Sequence, residues 1–167
     1  MLIEAQKIIG LPIASLAEQA KIGEIKVVFV DLETAIVLGF GVRQGYFSKR
    51  KVVSLLDVKE WDPNGMVINS EEDLVLPEEI IRIQQIISNN DYLIGKIAET
   101  ESGKKLGQVI NFLIETETGA VTKFYLEDLL GNARIFPKEK VVRIDKTIVF
   151  TDDEGEVKSG AIETQIA

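Results

Sequence analysis

Two pairs of carboxylates stand at i, i+2 spacing, Asp31 with Glu33 and Glu115 with Glu117. Oxygens paired in this way can hold a hard divalent cation or divide the roles of acid and base. Each pair lies in a short polar break between apolar runs, beside Thr34 or Thr118, with no further ligand nearby in sequence. Solvation of two hairpin turns, each capped by its threonine, accounts for them better. The run Asp152-Asp153-Glu154-Gly155-Glu156 has the acidity of a calcium loop without its alternating oxygen spacing or its late bidentate Glu. It reads as part of a solvated, frayed tail. Lys49, Arg50 and Lys51 follow Tyr46 and Phe47, the one basic cluster with neighbouring aromatics. Such a group can stack bases and grip phosphates, or meet a protein partner. Charges on the outer face of an edge strand, placed there to block edge-to-edge pairing, are the plainer account. Trp61, the single tryptophan, precedes a turn. It is either a contact anchor or the cover of a small core. Gly39-Phe40-Gly41 lacks the following helix and the Lys-Ser or Lys-Thr pair of a phosphate loop. Glycines so placed in a strand mark a bend.

Composition narrows the chemistry further. The 167 residues include no cysteine and no histidine. Disulfides, thiolate metal sites, cysteine nucleophiles, a Ser-His-Asp triad and histidine zinc ligands are therefore excluded. A catalytic role would fall to carboxylates, Lys or Tyr, so no enzyme, metal or organic cofactor is expected. Net charge is −8, and residues 1–90 and 91–167 each carry −4. Neither half offers the positive field that non-specific phosphate binding requires, which disfavours RNA and leaves no case for DNA. No apolar run approaches the roughly 20 residues that span a bilayer, and the first residues lack a secretory pattern. A cytoplasmic protein is expected.

The elements that would position these residues occur twice. At an offset of 84, residues 13–42 lie on 97–126 without a gap, with eight identities clustered around the same turns. A change of offset to 89 then matches Phe47–Val53 to Phe136–Val142, which places five extra residues near Glu127–Ala133. The runs 24–30 and 108–114 are rich in β-branched and aromatic residues, as strands should be. Each leads through an acidic turn into a second run, 36–42 or 121–126, which makes a hairpin. Further strands are expected at 51–56, 58–61, 66–69, 140–144 and 147–150. The turn Asp62-Pro63-Asn64-Gly65 sits between two of them, with Gly65 able to take a positive φ. Residues 13–21 have helical periodicity, but their counterparts 99–105 are turn-like, so both read as a strand end and loop. Pro77–Ser88 reads as a helix. Proline lies in its first turn, Glu78 and Glu79 complement the dipole, and Asn89-Asn90 stops it. Ile80, Ile83 and Ile87 share one face, which Ile81 and Ile86 widen.

These motifs resemble the PRC-barrel family, named from the cytoplasmic domain of the photosynthetic reaction centre H subunit and including the C-terminal domain of the ribosome maturation factor. Gly10-Leu-Pro-Ile13 and Gly95-Lys-Ile97 resemble its opening; Ile22-Gly23-Glu24-Ile25 and Leu106-Gly107-Gln108-Val109 resemble its strand start. Glu115-Thr-Glu-Thr-Gly119 keeps the family's acidic turn, whereas Ala35 replaces the glycine in Asp31-Leu-Glu-Thr-Ala35. Phe136-Pro137 keeps a proline where the first copy has Ser48. The resemblance implies a mainly β chain of two tandem PRC-type barrels, at 1–75 and 92–151. A helical linker would occupy 76–91 and an acidic tail 152–167. It implies contact-making and no active site. The favoured reading is a non-catalytic protein-interaction or scaffold module. An RNA- or ribosome-associated adaptor is the alternative, and an enzyme built on the carboxylates is the least favoured. Tyr46, Phe47, Lys49, Arg50, Lys51 and Trp61 are the expected contact residues.

Overall fold

A computed structural model describes residues 1–157. The chain is mainly β, with its strands in two sheets, one of them curled into a half-barrel. In order, the elements are β1 (Leu2–Glu4), α1 (Ala5–Ile8), β2 (Pro12–Ser15), β3 (Ala20–Asp31), β4 (Ile36–Arg43), β5 (Lys51–Ser54), β6 (Val58–Asp62) and β7 (Gly65–Ile68). There follow α2 (Ile81–Asn89), β8 (Ile97–Thr100), β9 (Lys105–Glu115), β10 (Val121–Glu127), β11 (Ala133–Pro137), β12 (Val141–Ile144), β13 (Thr147–Phe150) and β14 (Glu156–Val157). The first sheet runs β5-β4-β3-β2-β7-β6. The second, read the same way, runs β14-β11-β10-β9-β8-β13-β12. In each, one pair is parallel, β2 with β7 and β8 with β13, and the remaining pairs are antiparallel.

The β-branched runs form long central strands because each pairs along its length with the next strand and is partly covered along its other edge. In β9, residues 108–114 pair with β10 on one side. On the other side, β8 reaches only residues 105–108. β1 takes over at Leu113–Glu115, so the first strand of the chain belongs to the second sheet. The matching stretch of β3, Phe29–Asp31, has no such strand. There α2 packs instead, with Ile83 and Ile86 against Phe29 and Val52.

Four expectations change. The Pro77–Ser88 helix is broken: a 3₁₀ turn at Pro77–Glu79 is followed by extended Ile80, φ −120°, and α2 starts at Ile81. Glu79 turns its carboxylate back onto the Leu76 N–H at 2.8 Å, which closes the first turn. Ile81, expected on the apolar face, is 70% exposed. The stop at Asn89-Asn90 is present, with Asn90 left-handed at φ 54° and its N–H bonded to the helix end. The offset of 89 also fails. Phe40 pairs with Val53 and Phe124 with Phe136, so Val53 corresponds to Phe136 at an offset of 83. Phe47, matched to Phe136 by sequence, is fully exposed, whereas Phe136 is fully buried. Lys138–Lys140 forms a 3₁₀ turn that corresponds to Leu55–Asp57, not to Lys49–Lys51. The loop 128–132 is accordingly not the longer of the two. Gly65 lies outside the positive-φ set; a Cβ there would come within 3.0 Å of the Pro12 carbonyl, so the site needs small size. Residues 152–157, expected to fray, fold back. Lys140 Nζ bonds Asp152 at 2.9 Å, Arg134 bonds the Asp153 carbonyl at 2.8 Å, and β14 pairs with β11. The rest of the expected tail lies outside the described residues.

One apolar cluster joins the sheets, including Ile13, Ile25, Phe40 and Met66 from the first and Phe112, Phe124, Phe136 and Phe150 from the second. The hairpin tips also meet. Val37 N–H donates to Gly119 O at 2.9 Å, Val121 N–H donates to Ala35 O at 2.8 Å, and Ile36 bridges Ala120.

Candidate interaction surface

The acidic turns are structural in their geometry. Asp31, 6% exposed, accepts from the Glu33 N–H at 3.1 Å and the Thr34 hydroxyl at 2.7 Å, and pairs with Arg82 at 2.5 Å. Burial alone would raise its pKa. Thr34, the Glu33 N–H and Arg82 outweigh this and hold the carboxyl below the usual Asp value. Glu115 accepts from the Met1 amino group and from the Glu117 N–H, which likewise lower its pKa. Glu33 and Glu117 are exposed. Among the described residues, no three carboxylates converge as they would around a metal ion.

The expected contact residues separate into two places. Tyr46 and Phe47 sit on the loop between β4 and β5, with exposures of 90% and 104%. Arg43 lies 5.5 Å from the Tyr46 ring centroid, a cation–π distance. Lys49 and Arg50 continue the loop, and Lys51 opens β5, an edge strand of the first sheet. Gln44, at the loop start, donates to Glu71 at 2.6 Å. Trp61 is elsewhere and partly buried against the core. Its ring meets Phe40 edge-on at 5.3 Å between centroids, and its Nε1 donates to the Thr116 carbonyl at 3.0 Å. It thereby ties β6 of the first sheet to the hairpin turn of the second.

Three further features stand out in the folded chain. Leu129 and Leu130, on the loop between β10 and β11, are 105% and 87% exposed. Asp128 rigidifies that loop by accepting from the Leu130 and Asn132 N–H groups at 2.9 and 3.0 Å. The Asn132 N–H is the first cause of its lowered pKa. The apolar pair there was legible as Leu-Leu-Gly, but the misplaced offset hid its correspondence to Tyr46-Phe47. A buried polar contact, Asn111 Nδ2 to Glu4 Oε2 at 2.8 Å, fastens β1 to β9. Finally, a cleft of about 550 Å³ opens between β3, β9 and the segments 5–9 and 92–94, with Lys26 and Arg50 in its lining. Residues so far apart in sequence leave no local pattern.

No helix among the described residues is long and apolar enough to cross a membrane. No protein-family model matches the chain, and no curated protein is significantly similar to it.

Proposed function

We propose that the chain is a tandem pair of PRC-type barrels that acts as a non-catalytic protein-interaction module. The common strand order of the two sheets supports the tandem reading. So do matching details: Gly10 donates to Ile25 O and Gly95 to Val109 O, at 2.8 and 2.7 Å, and Ile25 and Val109 N–H return bonds to Leu11 and Lys96. The interaction reading is carried by one observation. The two loops that correspond in the two sheets each hold a pair of large apolar side chains almost wholly in water, Tyr46-Phe47 and Leu129-Leu130. Burying each against a partner would contribute on the order of 2 kcal/mol. Tyr, Phe and Arg on one loop is a composition enriched at interfaces.

The test is affinity capture from the native host with the wild type and with two double variants, Tyr46→Ser/Phe47→Ser and Leu129→Ser/Leu130→Ser. A protein held by the wild type and lost from either variant, after nuclease treatment, is the expected result. Capture that ignores both variants overturns the assignment of the loops. Micromolar binding of single-stranded RNA at about 50 mM salt, abolished by Lys49→Glu, Arg50→Glu and Lys51→Glu together, puts the RNA-adaptor reading first.

A further inference from the structure

The cleft between β3 and β9 has a chemistry unlike the rest of the surface. Its walls are aliphatic and aromatic, chiefly Ile9, Val28, Leu93, Ile94, Ile110 and Phe112. Its charged lining is Lys26 and Arg50, with no acidic residue, in a chain of net charge −8. Leu93 and Phe112 are buried, while Ile9 and Ile94 stay 44% and 47% exposed at the mouth. The volume of about 550 Å³ falls in the range of small-molecule sites.

The two halves of the cleft are not chemically equal. Positions 84 or 85 apart line it from the two halves of the chain, Val28 with Phe112 on the sheets and Ile9 with Ile94 on the segments beside them. At that offset Lys26 has Ile110 as its counterpart, so a cation faces the cleft from one sheet and an aliphatic chain from the other. Arg50 adds a second cation on the Lys26 side. Among the described residues Arg50 makes no ion pair. Lys26 pairs with Glu24 at 3.0 Å, but Glu24 is also bonded by Lys21 at 3.0 Å and approached by Arg43 at 3.8 Å. Three cations around one carboxylate leave positive charge uncompensated. An occupant that suits such a site has an apolar body and one anionic end.

We propose that this cleft binds a free straight-chain carboxylate, its tail along Ile94, Ile110 and Phe112 and its carboxylate at Lys26 and Arg50. Arg50 lies on the same loop as Tyr46 and Phe47, but neither aromatic lines the cleft, so the Tyr46→Ser/Phe47→Ser variant should retain this ligand.

Displacement of anilinonaphthalene sulfonate from the folded full chain, with dodecanoate and dodecanol as competitors below their aggregation concentrations, tests it. Dodecanoate should displace the dye and raise the melting temperature. Dodecanol should bind at least about fivefold more weakly, the difference expected of a partly exposed charge pair. Lys26→Gln/Arg50→Gln should remove that preference and leave dodecanol binding as it was. Ile94→Glu should abolish both ligands, with the melting curve showing that it folds. Equal affinities for the two ligands, absence of binding, or a preference that survives the double variant overturns the proposal. So does displacement by a short Leu-Ile-Glu peptide but not by dodecanoate, which assigns the cleft to a protein segment.

Discussion

The N–H of Val37 donates to the carbonyl of Gly119, and 84 residues further on the N–H of Val121 returns the bond to Ala35, at 2.9 and 2.8 Å. The two turns thus meet reciprocally, yet they solve the same backbone problem with different residues. Gly119 has φ 74° and Ala35 φ 55°, both left-handed. A Cβ on Gly119 would also approach Leu55 Cδ2 to 2.5 Å. Gly119→Ala should therefore cost about 1–2 kcal/mol, since the strain of the left-handed region comes with a side chain that must move. Ala35→Gly relieves that strain but removes a buried methyl, and the two terms nearly cancel. It should change stability by less than about 0.5 kcal/mol. Urea denaturation of both variants checks the contrast.

A second pair of glycines gives an ordering. Gly23 and Gly107 open the long strands, and both lie against the end of the neighbouring strand. A Cβ at Gly23 would meet the Arg43 carbonyl oxygen at 2.8 Å; one at Gly107 would meet the Glu127 carbonyl oxygen at 2.1 Å, with φ already 115°. These obstacles are backbone and cannot swing aside. Gly107→Ala should cost more than Gly23→Ala, by at least about 1 kcal/mol. Equal losses in thermal melts would remove the close approach as the reason for glycine there.

The hairpins 24–42 and 108–126 were legible because strand periodicity, acidic turns and shared glycines all agree there. Helix and register were less so. Ile80 breaks Pro77–Ser88 because the Glu79 carboxylate closes a separate turn on Leu76, a choice between local bonds that periodicity does not record. The offset of 89 rests on the likeness of Phe47-x-Lys to Phe136-x-Lys, and one of those phenylalanines faces water. Residue identity without burial cannot set register. Asp31 and Glu115 stood out correctly as turn residues, but Arg82, which neutralises Asp31, lies 51 positions away. The cleft and the Glu4–Asn111 contact needed the fold before they could be seen.

Asp31 makes stability depend on pH in a defined direction. Its folded-state pKa lies below the ordinary value, so its contribution is present in full above the unfolded-state pKa of about 3.9. That contribution is lost as the pH falls through the lower folded-state value, while Arg82 stays charged throughout. Asp31→Asn keeps an oxygen for the turn and removes the ion pair. It should lower stability at pH 7 by about 1–2 kcal/mol, and its deficit against the wild type should shrink below about pH 4. A deficit that persists unchanged at pH 3 would mean the carboxylate charge contributes nothing.

The contact between Glu4 and Asn111 separates an unsatisfied buried group from a missing one. Glu4 is 6% exposed and Asn111 2%. Asn111 Nδ2 donates to Glu4, while its Oδ1 accepts from the Gln6 and Phe112 N–H groups at 3.1 and 2.9 Å. Asn111→Ala leaves the buried Glu4 carboxylate and Phe112 N–H, and the part-buried Gln6 N–H, without these partners. Glu4→Gln keeps a neutral acceptor for Asn111. The first should cost about 3 kcal/mol or more, and the second about 1. The double variant Glu4→Leu/Asn111→Leu removes the charge along with its partner, so it should be less destabilised than Asn111→Ala alone. Because β1 is fastened to β9 at this point, Asn111→Ala should also speed hydrogen exchange at the Ile3 and Glu4 amides ahead of the sheet core. Uniform protection across β1 and β9 in that variant, with a loss under 1 kcal/mol, would show that strand pairing holds the N-terminal segment without the side-chain bond.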